Sequence, residues 1–108
     1  MTLHCADPGG CGPLVGEREF SLMREGAWLV NCARGCLVDE AALANRLESG
    51  ALSGAALDVY AEEPYSGPLT GLENVVLTPH VGSYAREGRV AMETEAAQNL
   101  VDLLEESA

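Results

Sequence analysis

Apolar and polar positions fall into alternating blocks of two kinds along this chain. Ala27-Trp28-Leu29-Val30-Asn31-Cys32, Leu52 to Val59 and Val75 to Leu77 are short runs with little polar interruption. They have the length of strands, and the first, nearly all apolar, predicts a strand covered on both faces of a parallel sheet. Met1 to His4 reads as the end of another short strand. Between these runs lie segments with helical spacing. Gly16 to Met23 predicts a short helix that turns Phe20, Leu22 and Met23 inward and breaks at Gly26. Asp39 precedes Ala41, Ala42, Leu43, Ala44 and Leu47, a helix with an acidic first turn and Gly50 just past its end. From about Tyr84 the chain predicts one long helix, with Ala97, Leu100, Val101 and Leu104 at i, i+3, i+4 and i+7.

Strands that alternate with helices call for right-handed crossovers and a parallel sheet, so the fold class is α/β. Ligands of open α/β sheets bind beyond the carboxyl ends of the strands. Three triplets sit there: Ala33-Arg34-Gly35, Glu62-Glu63-Pro64 and Thr78-Pro79-His80. Together they bring a guanidinium, a carboxylate and an imidazole to one edge, a set that suits an anionic substrate whose hydroxyl must lose a proton. Taken singly, each of these residues reads as an ordinary solvated surface group.

Composition narrows the partners. With 47% apolar and 21% charged residues in 108, the chain fits one small globular domain. Seventeen acids against six bases, all arginine, give a net charge of −11. That excess opposes non-specific binding to nucleic acid or to an anionic membrane. Much of it lies late, in Glu87, Glu93, Glu95, Asp102, Glu105 and Glu106, as expected of a wet helix face. Neither a membrane span nor a signal peptide is visible, so a cytoplasmic setting is the default expectation. Cys5, Cys11, Cys32 and Cys36 are then expected as thiols, and their C-x5-C and C-x3-C spacings predict no metal site.

Longer stretches carry a resemblance. Leu29-Val30-Asn31-Cys32-Ala33-Arg34-Gly35, Leu37-Val38-Asp39-Glu40, Gly54-Ala55-Ala56-Leu57-Asp58-Val59, Glu63-Pro64 and Asn74-Val75-Val76-Leu77-Thr78-Pro79-His80 together resemble the D-isomer-specific 2-hydroxyacid dehydrogenases, in the right order over almost the whole chain. Gly82 to Glu87 most resembles the phosphoglycerate dehydrogenase-type members. The resemblance implies a partial doubly wound, Rossmann-like parallel sheet. Residues 1–83 would be the carboxyl-terminal half of a dinucleotide-binding domain, and 84–108 a hinge helix leading toward a substrate domain.

It also implies roles. Arg34 would grip a substrate carboxylate with paired, charge-assisted hydrogen bonds. His80 would be the acid/base, and Glu63 would hold its imidazole and favour the charged form. The cofactor would be NAD, with NADP as the variant. Asp58, which needs a donor beside its carboxylate in so apolar a run, would meet the nicotinamide carboxamide, joined by backbone groups around Cys32, Ala33 and Gly82. The Cys32 side chain itself reads as a small core residue. A surface salt bridge to Asp39 is the alternative for Arg34, and a plain turn residue that for His80.

One expected element is missing from these 108 residues. A nicotinamide enzyme of this kind should carry G-x-G-x-x-G after its first strand, with an acid about 20 positions later. Gly10 and Gly12 share the first spacing, but position 15 is Val15. After His4 the family often continues with Pro-Leu-Thr, whereas this chain has Ala6-Asp7-Pro8, and Asp7 adds negative charge close to the nucleotide's expected place. The sequence therefore reads as a segment of an NAD-dependent oxidoreductase acting on a 2-hydroxy or 2-oxo acid, inactive as an isolated chain. Its exposed sheet edge would invite a homodimer or a complementary chain. The alternative is a truncated, non-catalytic binding or assembly module resembling the family's corepressors.

Overall fold

The computed structural model describes residues 1–6, 9 and 12–106. The expectations attached to Asp7, Gly10 and Cys11 lie outside the described residues. Four parallel strands, β1 (Thr2–Leu3), β2 (Ala27–Asn31), β3 (Leu52–Leu57) and β4 (Val75–Leu77), pair in the order β1-β2-β3-β4. They are joined by α1 (Glu17–Ser21), α2 (Glu40–Glu48) and a 3-10 turn at Pro68–Gly71. A third helix, α3 (Arg86–Glu106), follows β4. The fold is thus an α/β, Rossmann-like parallel sheet with a long C-terminal helix.

That strand order has a consequence for burial. When right-handed connections always step in the same direction, every connecting element lands on the same face. The register places Leu3, Leu29, Asn31, Ala55 and Leu57 on one face, and all five are buried. Thr2, Trp28, Val30, Ala56 and Val76 alternate onto the other face, where Trp28 remains 55% exposed. The expectation that β2 is covered on both faces is therefore corrected, because a sheet wound in one direction has one covered side. Trp28 instead lies across Gly54, where an added Cβ would come within 2.5 Å of the indole.

The helices follow their local signals. Asp39 caps α2, its carboxylate accepting the Ala42 amide at 3.0 Å, and Gly50 takes φ +73° just beyond the helix. α2 buries Ala42, Leu43, Ala44 and Leu47, and the Arg46 guanidinium donates to the Phe20 carbonyl at 2.9 Å, tying α2 to α1. α1 buries Phe20, and Met23 packs at the core's margin. Leu22 departs from expectation at 76% exposure, because the helix ends at Ser21 and its capping residue swings outward. No residue of α3 is buried.

Candidate active site at the strand ends

Because the strands are parallel, the segments leaving β1, β2, β3 and β4 open onto one edge. After β2, fully buried Asn31 shapes the turn. Its Oδ1 accepts the Ala33 amide at 3.1 Å and its Nδ2 donates to the Arg34 carbonyl at 2.9 Å. The Arg34 Nη1 donates to the Ala33 carbonyl at 2.7 Å, which leaves most of an exposed guanidinium fork available. Among the described residues no carboxylate pairs with Arg34, and Asp39 is engaged at the α2 cap instead. A cavity of about 290 Å³ opens beside it, lined by His4, Cys5, Ala6, Cys32, Ala33 and Arg34. Cys32 lines this cavity and is exposed, which corrects the expectation of a core residue. β2 ends at Asn31, so the side chain that follows stands at the rim, outside the sheet's covered face.

Gly35 connects this loop to the next. A Cβ there would fall 1.8 Å from the Tyr60 carbonyl carbon, so only glycine permits the two backbones to touch. Glu40, in the first turn of α2, accepts the Ala61 amide at 2.8 Å. The loops after β2 and β3 are thereby held together.

After β3 comes Asp58, 6% exposed. Its Oδ1 accepts from the Thr78 hydroxyl and from the Val81 amide at 2.9 Å, and its Oδ2 from the Gly82 amide at 2.8 Å. Burial pushes its carboxyl up, but the bonds from Thr78, Val81 and Gly82 and the nearby His80 outweigh it, so the pKa lies below the usual aspartate range. The donor required by its apolar setting is thus present threefold. Gly82 has no room for a side chain here, since a Cβ would lie 2.9 Å from Asp58 Oδ2.

Glu63 and His80 meet directly. His80 Nδ1 lies 2.9 Å from Glu63 Oε2 and 3.1 Å from Oε1, and Oε1 also accepts the Tyr60 amide at 3.1 Å. Hydrogen bonding from His80, then from the Tyr60 amide, holds the Glu63 carboxyl below its ordinary range. The Glu63-Pro64 peptide bond is cis. His80 has φ +56°, a left-handed conformation that costs a non-glycine residue energy and persists where neighbouring bonds enforce it. Both side chains remain open to solvent, at 49% for His80 and 38% for Glu63.

The edge therefore joins Glu63 to His80 by hydrogen bonds, while Arg34 stands on the neighbouring loop, whose Gly35 touches the backbone of Tyr60. Asp58 and Gly82 are bonded to each other, and the amides of Ala33 and Gly82 already donate within the protein. Three residues that shape the site were given no role by the sequence reasoning: Asn31, Tyr60 and Thr78. Asn31 had a signal, a polar side chain ending an apolar strand; Tyr60 and Thr78 act through contacts across the fold. Among the described residues, no group of three His, Cys, Asp or Glu could hold a metal, and no helix is long and apolar enough to cross a membrane.

Residues 1–82 match the family model described as D-isomer specific 2-hydroxyacid dehydrogenase, NAD binding domain. The chain is 50% identical over 103 residues to a glyoxylate reductase of Aeropyrum pernix, covering 94% of this chain and 31% of that protein. Among solved structures, it matches a glyoxylate reductase from Paecilomyes thermophila with a TM-score of 0.91 at 37% identity, covering 96% of this chain and 32% of that one. It also matches the NAD-complexed form of a D-isomer specific 2-hydroxyacid dehydrogenase from Lactobacillus delbrueckii ssp. bulgaricus, with a TM-score of 0.85 at 29% identity over 96% of this chain and 36% of that one. The chain spans about a third of the length of these relatives.

Proposed function

This chain belongs to the D-isomer-specific 2-hydroxyacid dehydrogenase family, within its NAD-binding domain, and we propose that it carries the proton-transfer and substrate-anchoring groups of a reductase for a small 2-oxo acid. Glyoxylate is the substrate of choice, since the relatives above at 50% and 37% identity are glyoxylate reductases; this departs from the phosphoglycerate-type expectation drawn from Gly82 to Glu87. Residues 1–83 act as the second half of the nucleotide domain and 84–108 as the hinge helix toward the substrate domain. Further strands of the domain, or those of a second copy, add at the free edge of β1.

The observation that carries this proposal is the Glu63–His80 pair at 2.9 Å. A carboxylate against Nδ1 keeps the proton on that nitrogen, so the neutral ring presents Nε2 as the acceptor. Nε2 takes the proton of a substrate hydroxyl in oxidation and returns it to the carbonyl oxygen in reduction. Glu63 stabilises the imidazolium formed between the two steps. Arg34, with most of its fork uncommitted, binds the substrate carboxylate.

The donor set also fits the cofactor. An ionised carboxylate offers about four acceptor positions, and Asp58 has used three, leaving one for an amide such as that of nicotinamide. Asp58, with the backbone carbonyls of Cys32, Ala33 and Gly82, would hold that end of NAD, the Ala33 and Gly82 amides being engaged within the protein. When bound, NAD exchanges a hydride with the substrate carbon.

The test is a chimaera in which this chain replaces the matching 103 residues of the Aeropyrum pernix enzyme. It is expected to reduce glyoxylate with NADH. His80→Ala should lower kcat by roughly 10²–10⁴-fold, and Arg34→Ala should raise KM as well as lower kcat. Full activity in His80→Ala would remove the proposal, and an unchanged KM in Arg34→Ala would remove the carboxylate anchor. The isolated 108-residue chain is expected to show neither NAD binding by calorimetry nor turnover, since catalysis needs every part in position.

A further inference from the structure

Tyr60 is buried where the chain leaves β3. Its hydroxyl lies 2.9 Å from the Leu57 carbonyl and 2.8 Å from the Thr78 carbonyl. A phenol has one proton to give, so the two carbonyls share it. The Thr78 carbonyl also accepts the His80 amide at 3.0 Å, closing a three-residue turn around Pro79 that leaves His80 at φ +56°. With two donors on it, that carbonyl is filled.

The backbone of the same residue acts on the other partner. The Tyr60 amide donates to Glu63 Oε1 at 3.1 Å, and that carboxylate holds His80 Nδ1. Its ring is fixed by stacking on Tyr65, with centroids 4.5 Å apart and planes inclined by 18°. Burial raises the phenol's pKa; the bond to Thr78 opposes this, while Asp58, Glu63 and Tyr65 add to it. The hydroxyl therefore stays protonated as a donor.

Resting on the assignment of Glu63 and His80 above, we infer that Tyr60 is the positioning residue of that pair. Its amide holds the carboxylate, and its hydroxyl holds the turn that aims the imidazole. Phenylalanine would keep the ring, the stack and the amide, and would release the Leu57 carbonyl at the end of β3 and the Thr78 carbonyl of the turn.

The experiment is nuclear magnetic resonance on the 108-residue chain, following the Glu63 carboxyl titration and the His80 Nδ1 proton. In Tyr60→Phe the Glu63 midpoint is expected to rise toward the ordinary carboxylate range, and the Nδ1 proton signal to broaden. Tyr65→Phe, which keeps the stack and gives up the acceptor of the Leu69 amide at 3.3 Å, should leave both signals in place. In the chimaera, Tyr60→Phe should lower kcat about tenfold at unchanged KM, since Arg34 is not bonded to it. If the variant folds poorly, trimethylamine N-oxide restores the folded population for the measurement. A Glu63 midpoint and Nδ1 signal identical to those of the unaltered chain would overturn the role of Tyr60. Glu63→Ala, which removes the acceptor, separates the two claims: an Nδ1 signal that survives it would refute the pair itself.

Discussion

Nine-residue α2 buries Ala42, Leu43, Ala44 and Leu47, whereas the 21 residues of α3 bury none, although Ala97, Leu100, Val101 and Leu104 fall at helical spacing. Part of the contrast lies in the side chains, since α3 also carries Val90, Met92 and Leu103 off that stripe, and part in the setting. α2 has β3 beneath it and α1 beside it, and its cap and its Arg46 are both engaged. α3 rests on local contacts: Arg89 to Glu93 at 3.5 Å, Gln98 to Asp102 at 2.8 Å, and Arg89 over the Tyr84 ring at 5.5 Å. Exposed pairs of this kind contribute only about 0.2–0.5 kcal/mol each. Its last turn carries acids and no base, against the helix dipole. An amphipathic pattern thus marks where a helix can pack, and topology decides whether it does.

The contrast can be broken most easily at its strong end. Leu43→Ala, at a fully buried position, should cost roughly 2–5 kcal/mol in denaturant unfolding; a loss below about 1 kcal/mol would mean that α2 does not anchor the body. Asp58 stands at the seam, since the Val81 and Gly82 amides it holds are the last tie before α3. Asp58→Asn should cost about 1–3 kcal/mol and loosen the path into α3. Its pKa is lower folded than unfolded, so its contribution is complete above the unfolded value and is lost as pH falls through the folded one. The variant should accordingly lose less stability than the parent chain between those two values in an acid titration.

Smaller effects sharpen the comparison. Asp39→Ala removes the α2 cap and should cost about 1 kcal/mol by thermal or denaturant melting. Leu100→Ala in α3 should stay within about 0.5 kcal/mol, and α3 amides should exchange with deuterium far faster than those of α2. Equal protection of the two helices would erase the distinction drawn here.

Local chemistry was the legible part of the sequence. β4 spans Val75–Leu77 where the apolar run ended, and α2 begins one residue after Asp39. Burial was less legible at Trp28, Leu22 and Cys32, because each depends on which face the crossovers cover or on where an element stops. The placement of Arg34, Glu63 and His80 at one edge followed from parallel strand ends. The fasteners did not, since Asp58 to Gly82 spans 24 positions and Tyr60 to Thr78 spans 18. Such bonds leave no periodic trace in the chain.

Trp28 is the sole tryptophan, and it lies half in solvent across Gly54 on the uncovered face of the sheet. Its emission consequently reports on that face alone, without a label or a substitution. Anything that settles over the uncovered sheet should shift the spectrum to the blue and shield the indole from a soluble quencher, while an event confined to the strand-end site should leave both unchanged.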